Sequence, residues 1–126
     1  MVVNTRSLWF TQMIEYDVPP LCQDALAEAL VVRSEQLAQR CEGLLSVSIQ
    51  ASDDGRRVLQ HLQWQSRQAW VAAAGCFVEE PFLELLRRYQ ARGVNFAAYQ
   101  TLRSLVRGAD GGLHCQLGET QAYQGA

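Results

Sequence analysis

The chain has 126 residues, of which 48% are hydrophobic, and this is the size and apolar content of one ordinary globular domain. Its formal net charge is -2 and its positive residues are dispersed, so we expect neither a nucleic acid nor an anionic membrane surface as a partner. The four cysteines lie far apart without a Cys-x-x-Cys pair, so neither a zinc site nor a disulfide framework is indicated.

The amino-terminal part of the sequence carries no signal for export or membrane insertion. No apolar run approaches the roughly 20 residues that a membrane-spanning helix needs. An uninterrupted secretory signal is also missing, because Glu15 and Asp17 fall within the first apolar stretch. We therefore expect a cytoplasmic protein with reduced thiols.

The first half of the chain predicts a strand, a helix and a second strand. Aromatic and apolar residues alternate with polar ones over residues 8–18, which predicts the first strand. Pro19-Pro20 ends it, and apolar residues at helical spacing then predict a helix over residues 21–41. Gly43 is in the position expected of a helix terminator, and residues 44–52 predict the second strand.

A hairpin is predicted where Asp54-Gly55 follows the second strand, because glycine accepts the positive φ of a tight turn. The third strand covers residues 56–64 and is antiparallel to the second. Side chains alternate along a strand, so one face carries Arg56, Val58, Gln60, Leu62 and Trp64, and the other carries Arg57, Leu59, His61 and Gln63. Ser66 is the predicted N-cap of a short helix over residues 66–74, which Gly75 ends.

The last third of the chain predicts one more helix and one more strand. Phe82, Leu85, Leu86 and Tyr89 recur at helical spacing before Gly93. Residues 96–106 alternate again and predict the fourth strand. From residue 108 the sequence is rich in Gly and Gln with little periodicity, so we divide the chain into a single domain, residues 1–107, and a C-terminal tail, residues 108–126.

The predicted order βαββαβ is typical of the ferredoxin-like α+β fold, a four-stranded antiparallel sheet with helices on one face. The other face of the sheet is predicted to be mixed in character and too apolar to be left wet. We expect a homodimer to form through this open face, which carries Trp9, Thr11, Met13, Leu59, His61, Gln63, Tyr99 and Thr101.

Three short segments carry a resemblance to a known family: Cys41-Glu42-Gly43-Leu44-Leu45-Ser46, then Ser52-Asp53-Asp54-Gly55, then Gln63-Trp64-Gln65-Ser66 with Ala69-Trp70. In this order and spacing they resemble the antibiotic biosynthesis monooxygenase family, dimeric α+β barrel proteins with the same βαββαβ order, over about residues 8–107. The resemblance implies a monooxygenase that oxidises a polycyclic aromatic or phenolic substrate, quinol- or anthrone-like, with molecular oxygen. It also implies that no metal, flavin or other cofactor takes part.

The same resemblance suggests residues for the site. The strand-three tryptophan of the family matches Trp64, and the polar residue four positions earlier, an asparagine in better-known oxygenases, is Gln60 here. We expect Trp64 and Gln60 to be catalytic, with Gln60 bonding the developing oxyanion and Trp70 completing an aromatic wall. Gln12 and Gln100 share the strand parity of Gln60 and are candidate substrate-binding residues. An arginine expected on the last helix is not carried over, because Glu84 stands at the matching spacing.

Other interpretations of these residues remain open. Trp64 is compatible with plain core packing, and Gln60 with a hydrogen bond to a backbone group. His61 lies on the opposite strand face, which favours a structural or interfacial role over that of a general base. Haem-degrading enzymes share the fold, but the helix over residues 66–74 has no histidine. The alternative function is a non-catalytic dimeric barrel that binds a small apolar ligand or a protein partner.

Overall fold

The elements follow one another in the predicted order, and two short elements are added at the end. The structure is a computed structural model that describes residues 9–77 and 80–117. Its strands are β1 (Phe10–Asp17), β2 (Leu44–Ala51), β3 (Arg57–Trp64), β4 (Gly93–Gln100), β5 (Ser104–Arg107) and β6 (Leu113–Leu117). Its helices are α1 (Gln23–Arg40), α2 (Arg67–Ala73) and α3 (Glu80–Arg88), with 3-10 turns at Pro20–Cys22 and Ala74–Phe77. Among the described residues, no helix is long and apolar enough to cross a membrane.

Four of the strands form one antiparallel sheet in the order β2-β3-β1-β4. Helix α1 lies against β2 and β3, and α2 lies against β3. Every second residue of β3 is buried from Val58 to Trp64, as the period-two pattern predicted. The ferredoxin-like α+β fold is therefore confirmed.

The core fills the space between the helices and one face of the sheet. Its side chains from β1 and β3 share a parity, and α1 contributes residues spaced by three or four positions. The largest fully buried members are Trp64, Tyr16, Phe10, Ile14, Leu26, Leu30, Leu37 and Leu62. The opposite face is the open one, where the register places Thr11 beside Gln63 and Tyr99, and Met13 beside His61.

The predicted hairpin joins β2 to β3. Gly55 has a φ of 77°, and its N–H donates to the Ser52 carbonyl oxygen at 3.1 Å. The Asp54 carboxylate accepts hydrogen bonds from the Ser52 hydroxyl at 2.7 Å and from the Arg56 N–H at 2.9 Å. The turn is thus held by its own side chains as well as by the strands.

The predicted helix cap is also present at the start of α2. The Ala69 N–H donates to the Ser66 hydroxyl oxygen at 3.1 Å. A Cβ atom on Gly43 would lie 2.5 Å from the Ala69 Cβ, so a glycine there lets α2 pack closely against the start of β2. Helix α2 ends at Ala73 with Ala74 as its C-cap, directly before the predicted stop at Gly75. The chain then continues as a 3-10 turn over Ala74–Phe77, which was not predicted.

The fourth strand and the chain end differ from the prediction. Strand β4 begins at Gly93 and ends at Gln100, and β5 pairs with β6 in a separate two-stranded sheet. The alternating pattern continues across residues 101–103, where the strand is broken, so the expected strand over 96–106 is wrong at both ends. Strand β6 lies in the segment assigned as a tail. Residues 118–126 are outside the described residues, and the division of the chain at residue 107 stays a prediction.

Candidate functional site

The candidate residues of β1 and β3 lie on the helix-facing side of the sheet. Trp64 is completely buried, and its indole N–H donates to the Gln12 Oε1 at 3.2 Å. Buried tryptophans usually bond their N–H in this way. The bond fixes the plane of the indole and joins two of the five residues that the sequence proposed for the site.

The Gln60 amide connects three elements. It is 1% exposed, and its Oε1 accepts a hydrogen bond from the Tyr16 hydroxyl at 2.6 Å. Its Nε2 donates to the Ser34 hydroxyl oxygen of α1 at 3.1 Å. Neither partner is a backbone group. The two bonds use two of the four that an amide can make, and we call the Tyr16, Gln60 and Ser34 side chains the polar relay.

Tyr16 is the donor end of the polar relay. Burial raises the pKa of its hydroxyl well above the ordinary range, and the positive charge of Arg33 opposes this shift. Burial disfavours the charged phenolate, and therefore dominates. Tyr16 is consequently neutral at physiological pH and donates a hydrogen bond to Gln60, which makes it unsuited to act as a base.

Arg33 is a further candidate that the sequence patterns did not indicate. It is 8% exposed on α1, and its Cζ lies 4.8 Å from the centroid of the Phe82 ring. Phe82 in turn meets the ring of Tyr16 edge-on at 6.4 Å. A guanidinium group is therefore held among aromatic rings beside the polar relay. Its signal in the sequence was its spacing from Leu30 and Leu37, which puts an arginine on the apolar stripe of α1.

The other two candidates from the sequence are Trp70, which packs against the core, and Gln100, which is exposed. Trp70 is half-buried, and its ring lies 4.9 Å from that of Phe10, which is the strand neighbour of Trp64. Gln100 also pairs with Phe10 and so shares its face, but its side chain is exposed. The three amides thus do not converge: Gln12 lies near the buried centre and Gln100 at the edge.

Two further side chains considered in the sequence lie outside this arrangement. His61 is half-buried on the open face, in register with Met13 and Ser48. The Arg87 guanidinium lies 2.9 Å from the carboxylate of Glu84 on the exposed surface of α3. Neither reaches the polar relay, so the positive charge near Gln60 comes from α1 and not from α3.

A surface groove reaches the relay at its Ser34 end. It lies between α1 and the edge strand β2 and has a volume of about 260 Å³. Apolar side chains dominate its walls, among them Val31, Leu44 and Val47. A flat apolar molecule in this groove would contact a hydroxyl that is bonded directly to the buried amide.

Known structures share this architecture. A monooxygenase from the gene ActVA-Orf6 of Streptomyces coelicolor, in complex with the ligand nanaomycin D, superposes with a TM-score of 0.62 at 25% identity over 86% of this chain and 96% of that one. A dimeric ferredoxin-like protein from an uncultured marine organism superposes with a TM-score of 0.67 at 14% identity, over 86% of this chain and 100% of that one. SnoaB, a cofactor-independent oxygenase from Streptomyces nogalater, superposes with a TM-score of 0.53 at 14% identity, over 73% of this chain and 91% of that one. The last two, at this identity, show a common fold.

The family of the chain follows from a match along its sequence. No protein with a curated description matches. The family model for antibiotic biosynthesis monooxygenases matches residues 9–75, which is more than half of the chain and contains Gln12, Gln60, Trp64 and Trp70. The chain therefore belongs to the antibiotic biosynthesis monooxygenase family, and its general class is that of a monooxygenase.

Proposed function

We propose that the protein is a cofactor-independent monooxygenase that oxidises a polycyclic aromatic or phenolic substrate, quinol- or anthrone-like, with molecular oxygen. The observation that carries the proposal is the buried polar relay, whose Gln60 lies on the same strand face as Trp64, with the Arg33 charge next to Tyr16. Family membership supports the reaction class. The nanaomycin D complex of the Streptomyces coelicolor protein supports an aromatic ligand for this fold.

The reaction places modest demands on the protein. In an anthrone, a ring CH₂ and O₂ become a ring C=O and one water, so one oxygen atom enters the product and the other leaves. The substrate first loses a proton, and its anion gives one electron to oxygen. The carbon radical and superoxide join as a peroxide anion, which takes a proton back to become a hydroperoxide, and loss of water leaves the carbonyl group. The protein must hold the rings, favour the anion and exclude bulk water.

The described side chains can meet these demands. Arg33 supplies a positive charge that favours an anionic substrate oxygen. Gln60 has a second N–H that the bond to Ser34 does not use, and this donor suits the same oxygen. Trp70 is half-buried and offers a flat apolar surface, while Trp64 is completely buried and its ring is held in place by Gln12.

A homodimer through the open sheet face is part of the proposal. The Gln63 Oε1 on that face is buried and has no hydrogen-bond donor within the described part of the chain. Such an atom costs free energy if it stays without a donor, and a second copy can supply one. Leu59 and Met13 add apolar surface to the same face.

The experiment measures oxygen consumption by chelator-treated protein with a panel of anthrones and naphthols. We expect Gln60→Ala to lower kcat about 100-fold, the effect of losing one oxyanion donor. Arg33→Met and Trp64→Phe should also lower the rate. Gln36→Ala, an exposed glutamine on α1, is the matched control and should leave it unchanged. Rates equal to those of buffer with every substrate would contradict the proposal.

One observation favours the alternative, a non-catalytic dimeric barrel that binds a small apolar ligand. The polar groups of Trp64 and Gln60 are already bonded to Gln12, Tyr16 and Ser34, as in a structural core network. The same substrates separate the two functions. Quenching of tryptophan fluorescence by naphthols without any oxygen consumption would favour the binding protein.

A further inference from the structure

A second cavity lies at the end of the sheet farthest from Trp64. It has a volume of about 530 Å³, and we call it the arginine pocket because Arg56, Arg57 and Arg92 line it. In β1, Phe10 is paired with Trp64 and Asp17 with Arg57. The strand between them spans roughly 23 Å. The polar relay lies closer, because Gln60 pairs with Ile14 in the middle of β1, but none of its three residues lines this pocket. The pocket is therefore a different site from the proposed oxidation site.

The walls of the arginine pocket are held by backbone hydrogen bonds. The Val18 N–H donates to the Arg56 carbonyl oxygen at 2.9 Å, and the Arg92 N–H donates to the Asp17 carbonyl oxygen at 2.9 Å. Three chain segments are therefore joined before any ligand arrives: the exit of β1, the β2–β3 hairpin and the entry to β4. The backbone around the pocket is therefore fixed, and binding has to order only the exposed arginine side chains.

The charges lining the pocket are unevenly paired. The Asp54 carboxylate is hydrogen-bonded within its own turn. It accepts hydrogen bonds from the Ser52 hydroxyl and the Arg56 N–H, which hold the pKa of its carboxyl below the ordinary value. Arg57 lies 3.8 Å from Asp54 and 3.8 Å from Glu15. Within residues 9–77 and 80–117, Arg56 and Arg92 form no salt bridge with a carboxylate. The lining therefore contains two guanidinium groups, those of Arg56 and Arg92, that are not held by a carboxylate of these residues.

Asp17 is the acidic group that opposes an anion in this pocket. Its Oδ2 lies 2.6 Å from the position of a Cβ built on Gly93, which places the carboxylate beside the segment that carries Arg92. With Asp54 it makes two carboxylates against three guanidinium groups in the lining. Glu15, outside the lining, is a second partner of Arg57. The charges left for a ligand are therefore those of Arg56 and Arg92, and they favour an anion.

We propose that the arginine pocket binds a small organic anion, whose carboxylate or phosphate group is held by Arg56 and Arg92. A guanidinium group presents two parallel N–H donors that match the oxygens of either anion. Val18 and Pro19 line the same cavity and offer apolar surface to the body of the ligand. The volume lies within the range of ordinary small-molecule sites.

The test is calorimetric titration of the full chain with benzoate, with phenyl phosphate and with neutral benzamide. We expect at least one anion to bind and benzamide not to bind. Arg56→Gln and Arg92→Gln should each weaken binding about tenfold or more, as expected for losing a charge-assisted hydrogen bond. Asp17→Asn should tighten it. The anion that binds more tightly, benzoate or phenyl phosphate, shows whether the pocket prefers a carboxylate or a phosphate group.

The control is Arg88→Gln, which makes the same charge change at an exposed position of α3 and should leave the affinity unchanged. Absence of binding for both anions at concentrations on the order of 10 mM would overturn the proposal. Equal affinities of the wild type and the Arg56→Gln/Arg92→Gln double variant would also overturn it. Because binding is measured without oxygen turnover, the result is independent of the oxidation chemistry proposed above.

Discussion

At the scale of single residues, Tyr16 and Gln60 depend on each other because both are fully buried. The Tyr16→Phe change removes the hydroxyl that donates to Gln60 and leaves the amide oxygen without that donor. We expect the free energy of unfolding to fall by about 1–3 kcal/mol at neutral pH, measured by urea denaturation. In a double-mutant cycle with Gln60→Leu the two losses should not add; additive losses would mean that the bond contributes little.

The same tyrosine predicts a pH dependence. Its folded-state pKa is raised by burial, so its contribution to stability is complete below the unfolded-state value of about 10. Above that pH the unfolded chain ionises first, and the contribution is lost as the pH rises towards the folded-state pKa. We therefore expect the stability gap between wild type and Tyr16→Phe to narrow above pH ~10. A stability difference between the two proteins that stays constant above pH ~10 would contradict a raised folded-state pKa of Tyr16.

The site was predictable from the sequence only in part, and particular residues show why. Strand parity alone put Gln12, Gln60 and Trp64 on one face, because side chains alternate strictly along a strand. It did not reveal that Gln60 bonds Tyr16 and Ser34, because these contacts join separate elements across 44 and 26 positions of the chain. Arg33 was missed because charged residues on an apolar helix stripe are usually at its border.

At the scale of elements, the Ser66 cap positions Trp70. Helix α2 has only seven residues, and so short a helix depends on its cap and its packing. We expect Ser66→Ala to cost about 1 kcal/mol and to shift the Trp70 fluorescence to longer wavelength as the helix frays. Ser66→Asp, which retains an N-cap acceptor, is the control. Equal melting temperatures of all three proteins would show that packing alone holds α2.

The β2–β3 hairpin provides a second prediction at this scale. The Asp54 carboxylate accepts two hydrogen bonds in its turn, and they lower its folded-state pKa. A lowered pKa contributes stability above the unfolded-state value, and this is lost as the pH falls through the folded-state value. Asp54→Asn should therefore lower the unfolding midpoint at neutral pH and less so in acid. If the unfolding midpoints of wild type and Asp54→Asn changed equally as the pH falls, the hydrogen bonds to Asp54 would not be the source of this stability.

Element order was easier to predict than element ends. The hairpin at Gly55 and the cap at Ser66 are local signals, and both are present. The end of β4 is not local, because alternation continues through residues 101–103 while pairing with β1 stops at Gln100. Which residues pair is decided by the length of the neighbouring strand, and the sequence of β4 alone does not contain that information.

At the scale of the whole molecule, the open sheet face distinguishes a monomer from a dimer. One side of the sheet is covered by helices, while the other presents half-buried Leu59, Met13 and His61. The separate β5–β6 hairpin also has exposed apolar side chains, with Leu105 56% and Leu113 55% exposed. Apolar surface of this kind on a small domain favours association with a second copy.

Leu59→Arg tests this association directly. The change puts a charge on the open face, where a partner would bury it. In a symmetric dimer through this face both copies would carry the charge into the interface. Within one chain the new arginine stands in register with Glu15, so the fold should persist. Light scattering should give twice the chain mass for wild type and the mass of one chain for Leu59→Arg. The control is Leu83→Arg, the same change on the outer surface of α3, where Leu83 is 41% exposed; this variant should remain dimeric. A wild-type protein that is monomeric at about 10 μM would refute the dimer.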